Sequence, residues 1–312
     1  MAGALLGKKS FREVSFTASW GVIAAKSWGP DDGKPFLGLH GWIDNANTFD
    51  RLAHLLPENI HFMAMDFPGH GKSSHRWPGM PYSFFEYVAD VKKVVSQLGW
   101  SKFSIIGHSM GAGVASLYAG TFPHEVENLI LLDFGGSLVS FTEEKSDVLA
   151  QYATEMSSTK VPIPRIYQSI ESAADKRKVS SVGHICQKDA LLLTERGTRV
   201  TAANGFIFSH DPMVKYSYEP FEAEELMTSI YSNICCAVLA LRGTDHIFGP
   251  KVQYMWDRLI EAISLSAKYK ESKKVRGGHF FHLENPEEVA QKIKEFVARS
   301  KSKVYALTES KL

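Results

Sequence analysis

Between a short apolar run and a helix-patterned stretch, the chain reads Ile105-Ile106-Gly107-His108-Ser109-Met110-Gly111. The apolar residues from Phe103 to Ile106 predict a buried strand, and the small and apolar residues from about Gly111 to Phe122 predict a helix. The chain must therefore reverse from strand to helix within very few residues. A bend that tight leaves no room for side chains beside its central residue, which explains the glycine on each side of Ser109. It also presents the serine hydroxyl at the end of the strand, next to the amide hydrogens that open the helix. Ser109 is the candidate nucleophile.

Strand and helix patterns alternate on either side of this bend. Gly21 to about Ala25 and Pro35 to Leu39 flank the turn Gly29-Pro30-Asp31-Asp32-Gly33 and predict a strand pair. Asn45 to Leu56 has helix-like spacing, Ile60 to Met65 reads as a strand, and Phe84 to Leu98 as an amphipathic helix closed by Gly99. Leu129 to Leu132 predicts the next strand. This repetition implies an α/β fold with a mostly parallel, doubly covered sheet. After Asp133, roughly 100 residues pass before the strand Ala237 to Leu241, too long a stretch for a loop in a compact domain. Helical patterning at Ser146 to Met156, Arg165 to Ser172 and Asp189 to Glu195 predicts an inserted helical cap over 137–233, with 1–136 and 234–312 as the core. A helix around Val252 to Leu265, a short strand near Lys274 and a helix from Pro286 to Ala298 complete the pattern.

Composition removes other classes. The 312 residues are 44% hydrophobic and 22% charged, ordinary for a chain with a sizeable core. Thirty-five Lys and Arg against 34 Asp and Glu leave a formal charge of +1, without the excess that nucleic-acid binding requires. No apolar run approaches the roughly 18 residues of a membrane span. Ala2 to Leu6 is too short for a signal-peptide core, and Lys8-Lys9 follows it, so secretion is not expected. Cys186, Cys235 and Cys236 form neither a disulfide framework nor a metal motif and read as reduced thiols of an intracellular protein. Ser310-Lys311-Leu312 matches the peroxisomal address, which makes the import receptor an expected partner and the peroxisome the expected compartment, with the cytoplasm second.

An activated serine needs a base and a carboxylate that orients it, arriving later in the chain. Gly277-Gly278-His279 lies on a glycine-rich loop before the closing helix, which makes His279 the candidate base; the nearby His282 is assigned to packing or hydrogen bonding. Asp245, on the loop after Ala237 to Leu241, is the first choice of acid. Asp133, directly after Leu129 to Leu132, is the alternative, and Asp66 is assigned to the turn at Gly69 to Gly71. Two backbone N–H groups must face the oxyanion of an acyl-transfer intermediate. Met110, after the serine, and Trp42, in His40-Gly41-Trp42, are the candidates, with His40 structural. No cofactor or metal is expected.

Together, His40-Gly41-Trp42, Asp66 to Ser73 (DFPGHGKS), Gly107 to Gly111 and Gly278-His279 resemble an α/β-hydrolase over almost the whole chain. More narrowly, Trp20 to Lys26, Leu39 to Leu52 (LHGWIDNANTFDRL) and Met65 to His75 (MDFPGHGKSSH) resemble the animal serine hydrolase-like proteins of the kraken type, a branch whose peroxisomal placement agrees with the terminal tripeptide. One spacing departs from the wider family: Asp245 lies two residues after Gly243, where the acid often lies three after the loop glycine. The resemblance implies a serine hydrolase that cleaves a small-molecule ester or thioester through an acyl-enzyme. A carbon–carbon bond hydrolase of the same fold, and a ligand-sensing protein that has lost turnover, remain as alternatives. For a coenzyme A thioester, Lys72, Arg76, Lys273, Lys274 and Arg276 are candidate rim cations. Phe141, Phe206, Phe208 and Met213 are candidates to line an apolar pocket above Ser109.

Overall fold

The computed structural model describes residues 10–78, 80–133, 145–157, 163–178, 185–216, 224–245 and 249–309. Phe141, the boundary near residue 137, the N-terminal apolar stretch and Ser310-Lys311-Leu312 lie outside them. Ten strands are described: β1 (Phe11–Ala18), β2 (Gly21–Trp28), β3 (Lys34–Leu39), β4 (Ile60–Met65), β5 (Phe103–His108), β6 (Val126–Leu132), β7 (Thr198–Val200), β8 (Phe206–Phe208), β9 (Ala237–Gly243) and β10 (Tyr269–Val275). Eight of them form one sheet in the order β1-β2-β4-β3-β5-β6-β9-β10. The pairings from β4 to β10 are parallel, and β1 and β2 continue the sheet antiparallel at one edge.

Burial on both faces explains which strands the apolar pattern marks out. Every residue of β4 and β5 is buried, as parallel strands covered by helices require. One buried cluster packs the helices at 84–98, 110–121 and 250–263 against the sheet, and a second packs those at 50–55 and 286–309 against the opposite face. Ser83 caps the helix 84–98 by accepting the N–H of Glu86, and Gly99 ends it in the left-handed region at φ 67°. The helix at 110–121 is buried all round, because its small residues lie directly on the sheet.

The expected α/β architecture is the observed one, with four local differences. β2 and β3 do not pair with each other: β4 lies between them, antiparallel to β2 and parallel to β3. The turn at Gly29 to Gly33 is thus a crossover to a non-neighbouring position in the sheet. β1 carries alternating exposure as an edge strand, so a search for apolar runs overlooks it, whereas the short strand expected near Lys274 is the edge strand β10. Between β6 and β9 the chain forms helices at 145–156, 170–178, 187–197 and 224–231, and also the small β7–β8 hairpin. The helix expected over Arg165 to Ser172 starts only at Ile170, because Tyr167 bridges to Phe206 beside that hairpin.

The Ser109 bend sits where β5 meets β3. A Cβ on Gly111 would lie 2.1 Å from the Leu39 carbonyl oxygen and 2.5 Å from that of His40, and one on Gly107 would lie 2.5 Å from the Gly111 carbonyl oxygen. These are backbone contacts with nothing flexible to give way. Gly111→Ala should therefore lower unfolding free energy by about 2 kcal/mol or more, as overpacking of a rigid interior does. Gly249→Ala, with nothing within 4 Å among the described residues, loses only the preference for glycine over alanine at the cap of the helix 250–263 and should change it by less than about 1 kcal/mol. Denaturant melts of the two variants check the contrast.

Candidate active site

Loops at the carboxyl ends of the parallel strands carry the candidate residues, the position at which open α/β sheets hold their ligands. Ser109 follows β5 directly and has φ 51° and ψ −121°, a conformation that costs a non-glycine residue about 1–3 kcal/mol. Its N–H bonds the Leu132 carbonyl at 3.0 Å, tying it to the end of β6. The loop after β3 closes over it: a Cβ on Gly41 would lie 3.3 Å from Ser109 Cβ. Among the described residues no acceptor binds the backbone N–H of Trp42, next to Gly41, or that of Met110, the first residue of the helix.

Asp133 is the residue after β6, and it too has a positive φ, 55°. Its N–H bonds the Leu241 carbonyl, its Oδ1 accepts the N–H of Gly243 at 2.8 Å, and its Oδ2 lies 2.8 Å from His279 Nδ1. Both side chains of this pair are almost fully buried. A carboxylate only accepts, so the imidazole hydrogen sits on Nδ1 and Nε2 is the basic nitrogen. Asp245, the first choice from sequence, is corrected here as the partner of His279: its side chain is exposed, and its N–H bonds Gly277. The left-handed backbone at Asp133 turns its carboxylate over the strand ends, whereas Asp245 lies two residues beyond the end of β9.

The other histidines are structural. His40 is fully buried, donates from Nδ1 to Gly41 O at 2.7 Å and accepts the Phe67 N–H on Nε2; burial pushes its pKa down to about 3. His282 bonds Thr48 Oγ1 at 2.8 Å and lies tilted with its ring 4.1 Å from that of His108, with burial again lowering its pKa to about 3. His108, the variable residue inside the glycine–serine pattern, donates from Nε2 to the His279 carbonyl at 3.0 Å and holds its ring 4.7 Å from the His279 ring. It thus fixes the backbone of the imidazole loop, a role that its position in the motif does not announce. Asp66 serves the turn after β4, accepting the N–H of Lys72, and is also gripped by Arg196 from the segment between β6 and β9.

A cavity of about 530 Å³ opens against Trp42, Ile43 and Asp44 on the loop that abuts Ser109; Ser109 and His279 themselves do not line it. Phe208 lines it as expected, while Phe206 pairs in the small hairpin and Met213 packs on the main core. None of the five expected rim cations reaches it. Lys72 pairs with Glu13, Arg76 with buried Asp90, and Lys273 with Glu271. Asp44 is 3% exposed, and its Oδ2 has no hydrogen-bond partner among the described residues. Burial pushes its pKa up to about 6, against the opposing fields of Arg177 and His279 and the N–H of Asn45.

Comparison with known proteins agrees with this fold. Residues 34–286 match the family model described as alpha/beta hydrolase fold. A serine hydrolase-like protein of Danio rerio is 35% identical over 93% of this chain and 89% of its own length. Serine hydrolase-like protein 2 of Homo sapiens is 32% identical over 91% of this chain and 93% of its own. Among solved structures, a hypothetical protein of Pseudomonas aeruginosa PAO1 is 30% identical with a TM-score of 0.79, over 94% of this chain and 99% of that one.

The Asp44 displacement has a sign that can be measured. A carboxyl group whose folded pKa lies above its unfolded value favours the fold while protonated, and that contribution is lost as pH rises through about 6. Asp44→Asn removes the cost of ionising it, on the order of 3 kcal/mol at about pH 8. The stability difference between Asp44→Asn and the native protein should therefore widen in the variant's favour between about pH 4 and about pH 6 and level off above, read from denaturant melts.

Proposed function

The chain belongs to the α/β-hydrolase family, and on that premise we propose that it is a serine hydrolase cleaving a carboxylic ester or thioester through an acyl-enzyme on Ser109. The observation that carries this reading is the buried contact between Asp133 and His279 at 2.8 Å, on the strand ends where Ser109 holds a strained backbone. Asp133 orients the imidazole and balances the positive charge it acquires. His279 Nε2 takes the Ser109 proton as Oγ attacks the carbonyl carbon. The N–H groups of Trp42 and Met110 hold the tetrahedral oxyanion, and preformed donors of this kind each account for about 3 kcal/mol of barrier in comparable sites.

The imidazolium then gives its proton to the departing alcohol or thiol, leaving the acyl group on Ser109. Water attacks that ester, its proton passes to His279, and collapse of the second tetrahedral intermediate releases the acid and restores the serine hydroxyl. A serine at the bend favours this chemistry over alkyl-enzyme mechanisms, which need a carboxylate nucleophile.

Turnover of p-nitrophenyl acyl esters tests the assignment. Ser109→Ala and His279→Ala should lower kcat/KM by at least about 10³-fold. Asp133→Asn should lose on the order of 10³-fold while Asp245→Asn changes less than about threefold. Equal rates in native and Ser109→Ala protein would remove the mechanism, and a crippled Asp245→Asn beside an active Asp133→Asn would return the acid role to Asp245.

A further inference from the structure

A buried charge is costly unless another charge or a set of hydrogen bonds answers it. Three arginines are buried among the described residues, and two follow that rule: Arg76 pairs with Asp90, and Arg196 with Asp66 and Glu13. Arg177 does not. It is 8% exposed, its Nη2 has no hydrogen-bond partner, and it forms no salt bridge among the described residues, yet it lines the cavity. Asp44 on the same cavity lies within its field but not at ion-pairing distance, and one oxygen of that carboxylate is also without a partner.

Packing fixes Arg177 relative to the proposed chemistry. Its guanidinium stands 5.6 Å from the ring of Phe280, the residue after His279. Ala174, one turn earlier, packs in a cluster with Leu193, Phe280 and Leu283. Asp44, also on the cavity, follows Trp42 by two residues, and the fields of Arg177 and His279 both favour its ionised form. Arg165, Lys176 and Lys215 add exposed cations around the cavity, while Leu193 and Phe208 supply apolar wall.

We infer that the cavity takes a carboxylate-bearing part of the substrate, anchored by Arg177, so that the ester or thioester cleaved at Ser109 carries a second, unesterified carboxylate. This rests on the serine hydrolase reading above. A guanidinium offers parallel donors that match a carboxylate in two-point contact. One unanswered buried cation balances one negative charge. A phosphate monoester brings nearly two at neutral pH, and among the described residues no second buried cation lines the cavity to balance the surplus. Asp44 itself becomes a neutral donor with a small further rise of its pKa, which a bound anion supplies.

The test compares p-nitrophenyl hexanoate with the mono-p-nitrophenyl ester of adipic acid, and 4-carboxyphenyl hexanoate, which moves the charge to the alcohol side. Native protein should prefer one charged ester over the neutral one by at least about tenfold in kcat/KM. Arg177→Gln should lower kcat/KM of the preferred charged ester at least about tenfold more than that of hexanoate, the loss falling on KM. Preference for the acyl-side or the alcohol-side ester tells which half of the substrate the cavity holds. Calorimetry with adipate and with inorganic phosphate reads the site without turnover: adipate should bind native protein more tightly than phosphate and lose at least about tenfold in Arg177→Gln. If that variant fails to fold, Arg177→Lys, which keeps the charge but loses the fork, should still weaken adipate several-fold. Equal responses of charged and neutral esters, unchanged adipate binding in both variants, or tighter phosphate binding would overturn the proposal. Absence of turnover on every ester with adipate bound through Arg177 would sink the hydrolase reading and leave the anion site standing.

Discussion

A carboxylate taken out of water at the end of a buried strand is stable only if donors meet it, and Asp133 has two, the Gly243 N–H and His279 Nδ1. These donors come from the ends of β9 and from the loop after β10, so one carboxylate gathers three neighbouring segments of the sheet edge. Its left-handed backbone conformation is held by the hydrogen bond from its own N–H to Leu241. Ser109 mirrors it one strand away: positive φ, an N–H bonded across to Leu132, and glycines where any Cβ would meet backbone. Strain at both residues is borne by the rigid sheet beneath them.

The segment between β6 and β9 is tied to this platform by charge and by packing. Arg196 grips Asp66 and Glu13, Asn45 and Asn47 donate to the carbonyls of Leu193 and Leu192, and the Trp42 indole donates to Val214. Several of these contacts reach the loop after β3, whose Trp42 N–H is a proposed oxyanion donor. The walls of the cavity and the donor loop are therefore one bonded unit, which gives a physical route by which changes in the inserted segment would alter rate as well as affinity.

Much of the sheet was legible because parallel strands covered on both faces are continuous apolar runs: Ile60 to Met65, Phe103 to Ile106, Leu129 to Leu132 and Ala237 to Leu241 all lie within strands. Edge strands give that signal weakly or not at all. β10 alternates exposed Lys270, Ser272 and Lys274 with half-buried positions and shows only as a short strand near Lys274, and β1 exposes Arg12 and Glu13. The strand pair expected at Gly29 to Gly33 failed because a turn signal states that the chain reverses, not which strand it then joins. Glycines flanking Ser109 announced the bend. The neighbour of His279 is named only as the alternative to Asp245, since spacing from a loop glycine carries no information on the backbone angle at Asp133. Arg177 lies in no motif; only its burial without a counter-charge marks it.

The account's central claim is that Ser109 is the group that takes the acyl chain. Its most direct test is to treat the native protein with a fluorophosphonate, digest it and locate the adduct by peptide mass spectrometry. The account predicts a single phosphonylated peptide with the modification on Ser109, absent after prior denaturation. An adduct on another residue, or none on folded protein, would contradict it.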